Sequence, residues 1–201
     1  NQMKNLKSIL TNSFSIIIGI LIYSFLSQNY FSYSANLTYS TTEGSKTGYQ
    51  LIRQLFEGGD GNVASTIMVV ALFIISILAG LMIICSIYNL LKSANVIKVE
   101  NEKVNKAFNI TNMVLGIVIG VLSIVVISCT AGYLNNGLNV SIATSAAETF
   151  SAMGMPVTVE TVLSNLMTEL NTTIGWANIT NIVLGLILIV PTTLSFVFDR
   201  K

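Results

Sequence analysis

The segment Lys92–Lys106, KSANVIKVENEKVNK, joins the two longest apolar runs of the chain. It carries four lysines and only two glutamates, Glu100 and Glu102. Loops rich in lysine and arginine lie on the cytoplasmic side of a membrane. If the flanking runs cross a bilayer, this segment therefore predicts which side every other loop occupies.

The composition favours a membrane protein. Charged residues make up 9% and hydrophobic residues 52% of the 201 residues, whereas an average soluble domain is about 25% charged. Four windows each supply the roughly 17–25 mostly apolar residues that a transmembrane helix needs. They are Ile9–Ser27, Thr66–Leu91, Ile110–Tyr133 and Ile174–Phe198. We predict an all-α integral membrane protein, a four-transmembrane-helix bundle with a small external subdomain.

Charged residues are distributed unevenly between the two predicted sides. Lys4 and Lys7 precede the first span, and Arg200 and Lys201 follow the last. The connections 28–65 and 134–173 hold six acidic residues but only two basic ones. We therefore expect both termini and residues 92–106 in the cytoplasm, connections 28–65 and 134–173 outside, and a plasma-membrane location. A signal peptide begins like the first span, but we predict a retained anchor. The frequent Ile, Asn, Lys and Ser are associated with AT-rich microbial genomes.

The first external connection contains a strand-like pattern. From Phe31 to Thr41, odd positions are apolar or aromatic and even positions are Ser, Asn or Thr, which is typical of a half-buried strand. No other segment has a comparable pattern. The segment either pairs with a neighbouring subunit, pairs with an unrecognised short strand, or is an aromatic segment at the membrane interface.

Amphipathic helices are predicted elsewhere outside the membrane. A short helix covers Tyr49–Phe56 and ends at a glycine-rich hinge. In 134–173, a capping box at Ser145 and a cap at Thr158 predict two helices joined at Gly154-Met-Pro156. Their apolar faces and the strand need covering, by each other or by another protein. The residues proposed to meet such a partner are Phe31, Tyr33, Leu37, Tyr39, Phe150, Met153, Val162 and Leu166.

Small residues occur in the second and third predicted spans. Ser76 and Gly80 lie four apart in the second, and Gly116 and Gly120 lie four apart in the third. Small residues at this spacing let helices approach closely, so we expect these two spans to form the tightest helix contact.

One sequence is repeated: Asn109–Gly116 (NITNMVLG) resembles Asn178–Gly185 (NITNIVLG). Both segments open spans that cross the membrane in opposite directions. The similarity therefore indicates either an inverted repeat of the kind found in transporters or the common likeness of apolar spans.

The side chains needed for most catalytic sites are missing. The chain has no histidine, and its two cysteines, Cys85 and Cys129, both lie in predicted spans. No ionisable residue lies within a span, where it would indicate an ion path. The external glutamates are typical of solvated helix faces. We therefore expect no enzyme activity, no cofactor and no metal, and the dispersed net charge of +1 predicts no nucleic-acid partner.

The function predicted from these patterns is structural. We expect a subunit of a larger membrane complex, in contact with the lipid bilayer and with other subunits or a second copy of itself. The alternative is an oligomeric channel or transporter with a pore lined by serine and threonine of spans two and three.

Overall fold

The computed structural model describes residues 2–98 and 101–199, without the side chain of Asp199. Residues 99 and 100 of the basic connection, and the C-terminal pair Arg200 and Lys201, lie outside the described residues. Four long helices dominate the described part. They are α1 (Gln2–Phe25), α3 (Val63–Ser93), α4 (Glu102–Asn136) and α7 (Trp176–Asp199).

These four helices match the predicted spans. Each is long and apolar enough to cross a membrane. Each of the two central helices extends beyond its apolar window at both ends, because a helix continues into water where capping groups satisfy its backbone. At the start of α4, for example, the Asn101 side chain accepts a hydrogen bond of 3.0 Å from the Lys103 backbone N–H.

The predicted fold class is confirmed in part: the described residues are mostly helical, but they also form a three-stranded antiparallel sheet where the sequence predicted at most one strand. Its strands are β1 (Asn29–Leu37), β2 (Ser40–Thr47) and β3 (Met167–Ile174), in the order β2-β1-β3. The strand predicted from the alternating pattern is therefore present, and it pairs with two short strands that the pattern did not reveal. Its predicted end at Thr41 is corrected, since the chain turns after Leu37 and the last two residues belong to β2.

A short helix, α2 (Gly48–Gln54), follows β2 as predicted. Thr47 caps it through a reciprocal pair of bonds with Gln50: the Thr47 side chain accepts from the Gln50 backbone at 3.2 Å, and the Gln50 side chain accepts from Thr47 at 2.9 Å. The next loop contains Gly58, Gly59 and Gly61 with φ of 97°, 64° and 73°. Left-handed backbone of this kind favours glycine, which agrees with the predicted hinge.

The second connection differs from the predicted helical hairpin. Helix α5 (Leu138–Ala152) begins directly after Gly137, so Ser145 lies inside the helix and caps nothing. Thr158 does cap a helix, since its side chain accepts from the Thr161 backbone at 3.2 Å. That helix, α6, is short: Val159–Thr161 continues through one π-helical stretch, Val162–Leu166, and then becomes β3.

Two compact units make up the fold. The bundle unit comprises 1–26, 71–124 and 180–201, and the sheet unit comprises 27–70 and 125–179. The core of the sheet unit is built where β1 meets α5 and α6. Its buried members are Leu37, Ala143, Ala146, Ala147 and Val162. Small alanines let α5 lie close to the sheet, so the chain itself covers the face of α5 that carries Ala143, Ala146 and Ala147.

Candidate functional site: a groove in the sheet unit and a polar bundle

Serine and asparagine side chains connect the helices of the bundle unit. On α3, Ser86, Asn89 and Ser93 share one face and are all buried. Ser93 shares a hydrogen bond of 2.7 Å with Ser8 of α1. Ser86 donates one of 3.3 Å to the Asn112 side chain of α4. Because apolar contacts alone do not select one partner helix in lipid, such bonds specify which helices meet.

Asn12 is the second node of the bundle unit and is fully buried. Its Nδ2 donates to the Ser8 backbone carbonyl at 2.8 Å and to the Ser195 Oγ of α7 at 3.3 Å. Asn89 behaves differently, because both atoms of its amide are buried and neither has a hydrogen-bond partner among the described residues. An unpaired buried amide destabilises the fold.

Four further asparagines were not predicted to be buried, although the sequence contains a signal for it. The repeated tetrapeptide N-I-T-N places two asparagines three residues apart, which is one helix face. Asn109 and Asn112 are both buried, as are Asn178 and Asn181. In each of the four, at least one amide atom lacks a hydrogen-bond partner among the described residues. They are also packed tightly, with almost no surface that water can reach. Amide groups that lined a water-filled pore would instead be accessible to water.

The predicted helix-packing residues lie at helix contacts, but with different neighbours. Within the bundle unit, Gly80 faces the hydroxyl of Tyr23 on α1, which also donates to the carbonyl of Ser76. Gly116 and Gly120 face α7 rather than α3. Their nearest side chains are those of Thr192 and Ile189 respectively. The prediction that these four residues join the second and third spans is therefore corrected: they join α3 to α1 and α4 to α7.

A groove of about 680 Å³ crosses the sheet unit. We call it the β1–α5 groove. Aromatic and apolar residues of β1 and the following turn form its floor, and the walls come from β2, α2 and α5. The floor residues are Phe31, Tyr33, Leu37 and Tyr39; the wall residues include Ser40, Thr42, Lys46, Gln50, Gln54, Ser141, Ser145 and Thr149. Its volume lies within the range of about 300–1,000 Å³ typical of small-ligand sites.

Hydrogen bonds fix one end of this groove. The Tyr133 hydroxyl donates to Ser141 Oγ at 3.2 Å, and Ser141 Oγ donates to the Asp60 carboxylate at 3.2 Å. The ring of Phe31 packs edge-on against Tyr133, with ring centroids 5.9 Å apart. Asp60 reaches this position because it lies in the glycine-rich loop, whose left-handed residues turn the chain sharply.

The register of β1 against β2 determines which β2 residues face the groove. Tyr33 lies opposite Gly44, and Phe31 lies opposite Lys46. The ring of Tyr33 covers Gly44 so closely that a Cβ there would lie 2.5 Å from its hydroxyl oxygen. Glycine is therefore needed at this position for the ring to rest on the strand.

Most of the predicted partner-facing residues are inside the fold. Phe31, Leu37 and Val162 are buried, and Tyr33 and Leu166 are half-buried. Of the buried three, Phe31 and Leu37 line the floor of the β1–α5 groove, and Val162 lies in the core of the sheet unit. Tyr39 and Met153 are 51% and 59% exposed. Half-buried Phe150 packs against Tyr39, with ring centroids 5.0 Å apart.

Tyr30, at the start of β1, is a buried titratable group that the sequence did not single out. Its carbonyl accepts a hydrogen bond of 2.9 Å from the Gly175 backbone, which ties β1 to the start of α7. Its side chain is fully buried, and the hydroxyl has no partner among the described residues. Burial, and to a smaller extent the neighbouring Tyr49, raises the pKa of Tyr30 well above its ordinary value.

No protein-family model, curated protein or solved structure matches the chain. In the described part of the chain, no group of three or more His, Cys, Asp or Glu side chains is arranged to hold a metal ion. Any proposal about its function therefore rests on the geometry of the chain itself.

Proposed function

We propose that the chain is a non-catalytic multi-pass membrane protein of the plasma membrane that acts as an assembly subunit of a membrane complex. Four helices suited to spanning a bilayer support this proposal. The lysines of residues 92–106 and of both termini support a cytoplasmic location for these segments, with the sheet unit outside. Its partners are other membrane subunits or a second copy of the chain.

Aromatic and apolar side chains support the placement of the bilayer boundary. Trp176 begins α7 and is 82% exposed, and Val63 begins α3 and is 73% exposed. Phe56, shortly before α3, is 75% exposed. Exposed groups of this kind at the ends of apolar helices are typical of the membrane interface, where an aromatic ring contacts both lipid and water.

The observation that carries the proposal is an exposed apolar tip, formed by Tyr39, Phe150, Met153 and Met155. Tyr39, Met153 and Met155 are each at least half exposed. The tip lies beyond the far end of β1, whose start is bonded to the start of α7. Nine strand residues separate the two ends by about 27 Å. An exposed apolar patch that contains flexible methionines suits a protein partner.

Association in native membranes tests this proposal. The double variant Tyr39→Ser, Met153→Ser should lose cross-linked or co-purified complexes after gentle detergent extraction, while its own thermal stability stays the same. Val140→Ser is the matched control, because Val140 is an apolar residue of α5 that is 45% exposed and lies outside the tip. A chain that runs as a monodisperse monomer, or complexes that survive the double variant, would overturn the proposal.

The topology is tested separately by cysteine accessibility in intact cells. In a variant without Cys85 and Cys129, a cysteine replacing Ser145 of α5 should react with a membrane-impermeant maleimide. A cysteine replacing Asn95 should react only after permeabilisation. Both positions are exposed in the structure, so the reverse pattern would mean the opposite orientation.

A channel or transporter lined by serine and threonine of α3 and α4 has less support. Ser76 donates to the Phe73 carbonyl at 2.6 Å, and Ser123 donates to the Ile119 carbonyl at 2.8 Å. Hydroxyls that bond to their own helix are not directed into a pore. Solute or ion flux through liposomes containing the purified chain would reverse this preference.

A further inference from the structure

We propose that the β1–α5 groove is a binding site for a short neutral saccharide. Nothing in this proposal depends on the assembly function, because it rests on the lining of the groove alone. The groove has room for a small ligand, and its lining mixes hydroxyls, amides and aromatic rings. Each of these three features, and the charge of the lining, restricts the class of ligand.

Hydroxyl groups line two walls at regular intervals. On α5, Ser141, Ser145 and Thr149 occur every fourth residue and all line the groove, which spaces them about 6 Å apart along the helix. The Thr149 hydroxyl donates to the Ser145 carbonyl at 2.9 Å, so it offers a ligand only an acceptor. On β2, Ser40 and Thr42 lie two residues apart and line the groove too, which spaces them by about 6.6 Å. Two such rows suit a ligand that repeats hydroxyl groups along its length.

Several of these groups are available for bonding. Within the described residues, the side chains of Thr42, Gln54 and Ser145 have no hydrogen bond or other polar contact. A hydroxyl both donates and accepts, and a glutamine amide offers two donors and one acceptor. Sugar hydroxyls also donate and accept, so they can satisfy such a set without a charged group.

The aromatic floor provides the apolar part of the site. Tyr33 and Tyr39 line the groove, and the Tyr33 ring is held down on Gly44. One face of a sugar ring carries mainly C–H groups, which pack favourably on the electron-rich face of an aromatic ring. A purely apolar ligand would instead leave the hydroxyl rows unbonded.

The charges of the lining argue for a neutral ligand. Lys46 is the single cation among the groove residues, and Asp60 and Glu57 are the acids. Glu57 is already paired with Arg53 at 2.7 Å. Phosphate sites present several cationic or backbone donors together, which this lining does not. Asp60 and Lys46 instead offer one strong acceptor and one strong donor to sugar hydroxyls.

A peptide is the competing ligand. Extended peptides bind chiefly through main-chain bonds to an open strand edge. The groove, by contrast, is lined by side chains from the faces of β1 and β2, at positions paired in register. The geometry therefore favours the saccharide, and the test includes a peptide arm.

The experiment uses the full chain in phosphatidylcholine nanodiscs, because the disaccharide head group of maltoside detergents would itself compete for the site. Saturation-transfer NMR is recorded with maltotriose, cellotriose, the N-acetylglucosamine trimer and the tripeptide Ser-Ser-Ser. We expect transfer to the ring protons of at least one trisaccharide, and no transfer to the peptide.

Two variants locate the binding. Ser145→Leu fills the wall of the groove from an exposed helix position, and Asp60→Asn removes the strong acceptor. Each should raise the dissociation constant about tenfold, which corresponds to a loss of about 1.4 kcal/mol of binding free energy. Val140→Ser, on the same helix but outside the groove, should leave it unchanged. Absence of transfer to all three trisaccharides, unchanged binding in Ser145→Leu, or binding of the peptide alone would overturn the proposal.

Discussion

Asn89→Leu should make the protein more stable than the same substitution at Asn12. Both asparagines are fully buried in the bundle unit, and leucine adds the same volume at either site. They differ in bonding: among the described residues, the Asn12 amide donates to Ser8 and Ser195 and only its Oδ1 lacks a partner, whereas neither amide atom of Asn89 has one. The pair of variants therefore isolates the contribution of the amide bonds.

The magnitude follows from the bonds lost. The two hydrogens of the Asn12 amide make two bonds at a time, one to Ser195 of α7 and one to the Ser8 carbonyl within α1 itself. The bond between helices contributes about 0.6 kcal/mol and the bond within α1 a similar amount, so Asn12→Leu loses about 1 kcal/mol. Asn89→Leu loses none and removes an unpaired buried amide, which recovers about 1 kcal/mol or more. The free energies of unfolding should differ by about 2 kcal/mol, or roughly 4–8 °C in Tm.

Thermal unfolding of both variants in the same nanodiscs measures this difference, followed by tryptophan fluorescence or by retention of the folded peak after heating. The wild-type chain is the reference for each. Equal losses of stability in the two variants would refute the reasoning, because Asn89 would then have to make hydrogen bonds as favourable as those of Asn12.

Three further outcomes are expected. Gly120→Leu should lower the free energy of unfolding by about 2 kcal/mol, because a Cβ there meets α7. Gly132→Leu, which has open space around it, should change the free energy of unfolding little. Thermal unfolding compares the two variants. Val162→Ala should lower the free energy of unfolding by about 2 kcal/mol, because the side chain is fully buried. Val140→Ala should lower it by less than about 0.5 kcal/mol. Unaltered stability of Val162→Ala would contradict the assignment of Val162 to the core. Tyr30→Phe should raise the free energy of unfolding by about 1 kcal/mol at pH 7, because the buried hydroxyl has no partner among the described residues, and should flatten the decline in Tm above about pH 10; an identical decline in both proteins would contradict the assignment.

The sign of the Tyr30 effect follows from its raised pKa. The folded state keeps the hydroxyl protonated at a pH where the unfolded chain has already lost the proton, because burial disfavours the phenolate. The unfolded state thus binds fewer protons, and stability falls as pH rises. The stability is fully present below the ordinary tyrosine pKa of about 10 and is lost above it. Phenylalanine cannot ionise, so it removes this dependence.

The long helices and one strand could be predicted because their patterns are strong. Apolar windows identified α1, α3, α4 and α7, and strict alternation identified β1. In contrast, β2 reads STTEGSKT and is exposed along most of its length, so no apolar face marks it. An edge strand of this kind owes its conformation to pairing with β1, which a local pattern does not contain.

The error at β3 has a related cause. Val159, Val162, Leu163 and Leu166 follow helical spacing, and Leu170 continues it, so the pattern extends the helix predicted after Thr158 into the segment that forms β3. The structure ends the helix at Leu166, and Leu170 pairs with Ala35 across the sheet. Three threonines and an isoleucine in β3 favour extended backbone, but the open edge of β1 decides the outcome because it supplies a full set of backbone bonds.

Polar residues in the bundle unit and in the sheet unit have separable roles. In the bundle unit, neutral amides and hydroxyls link pairs of helices, as in Ser8 with Ser93 and Ser86 with Asn112. Their bonds stay within the chain, so substitutions there should change the stability of the fold. In the sheet unit, the side chains of Thr42 and Ser145 have no hydrogen bonds within the described part of the chain and lie beside an open groove. Substitutions at these two should change ligand binding at constant Tm, and a matching loss of stability would show that they support the fold instead.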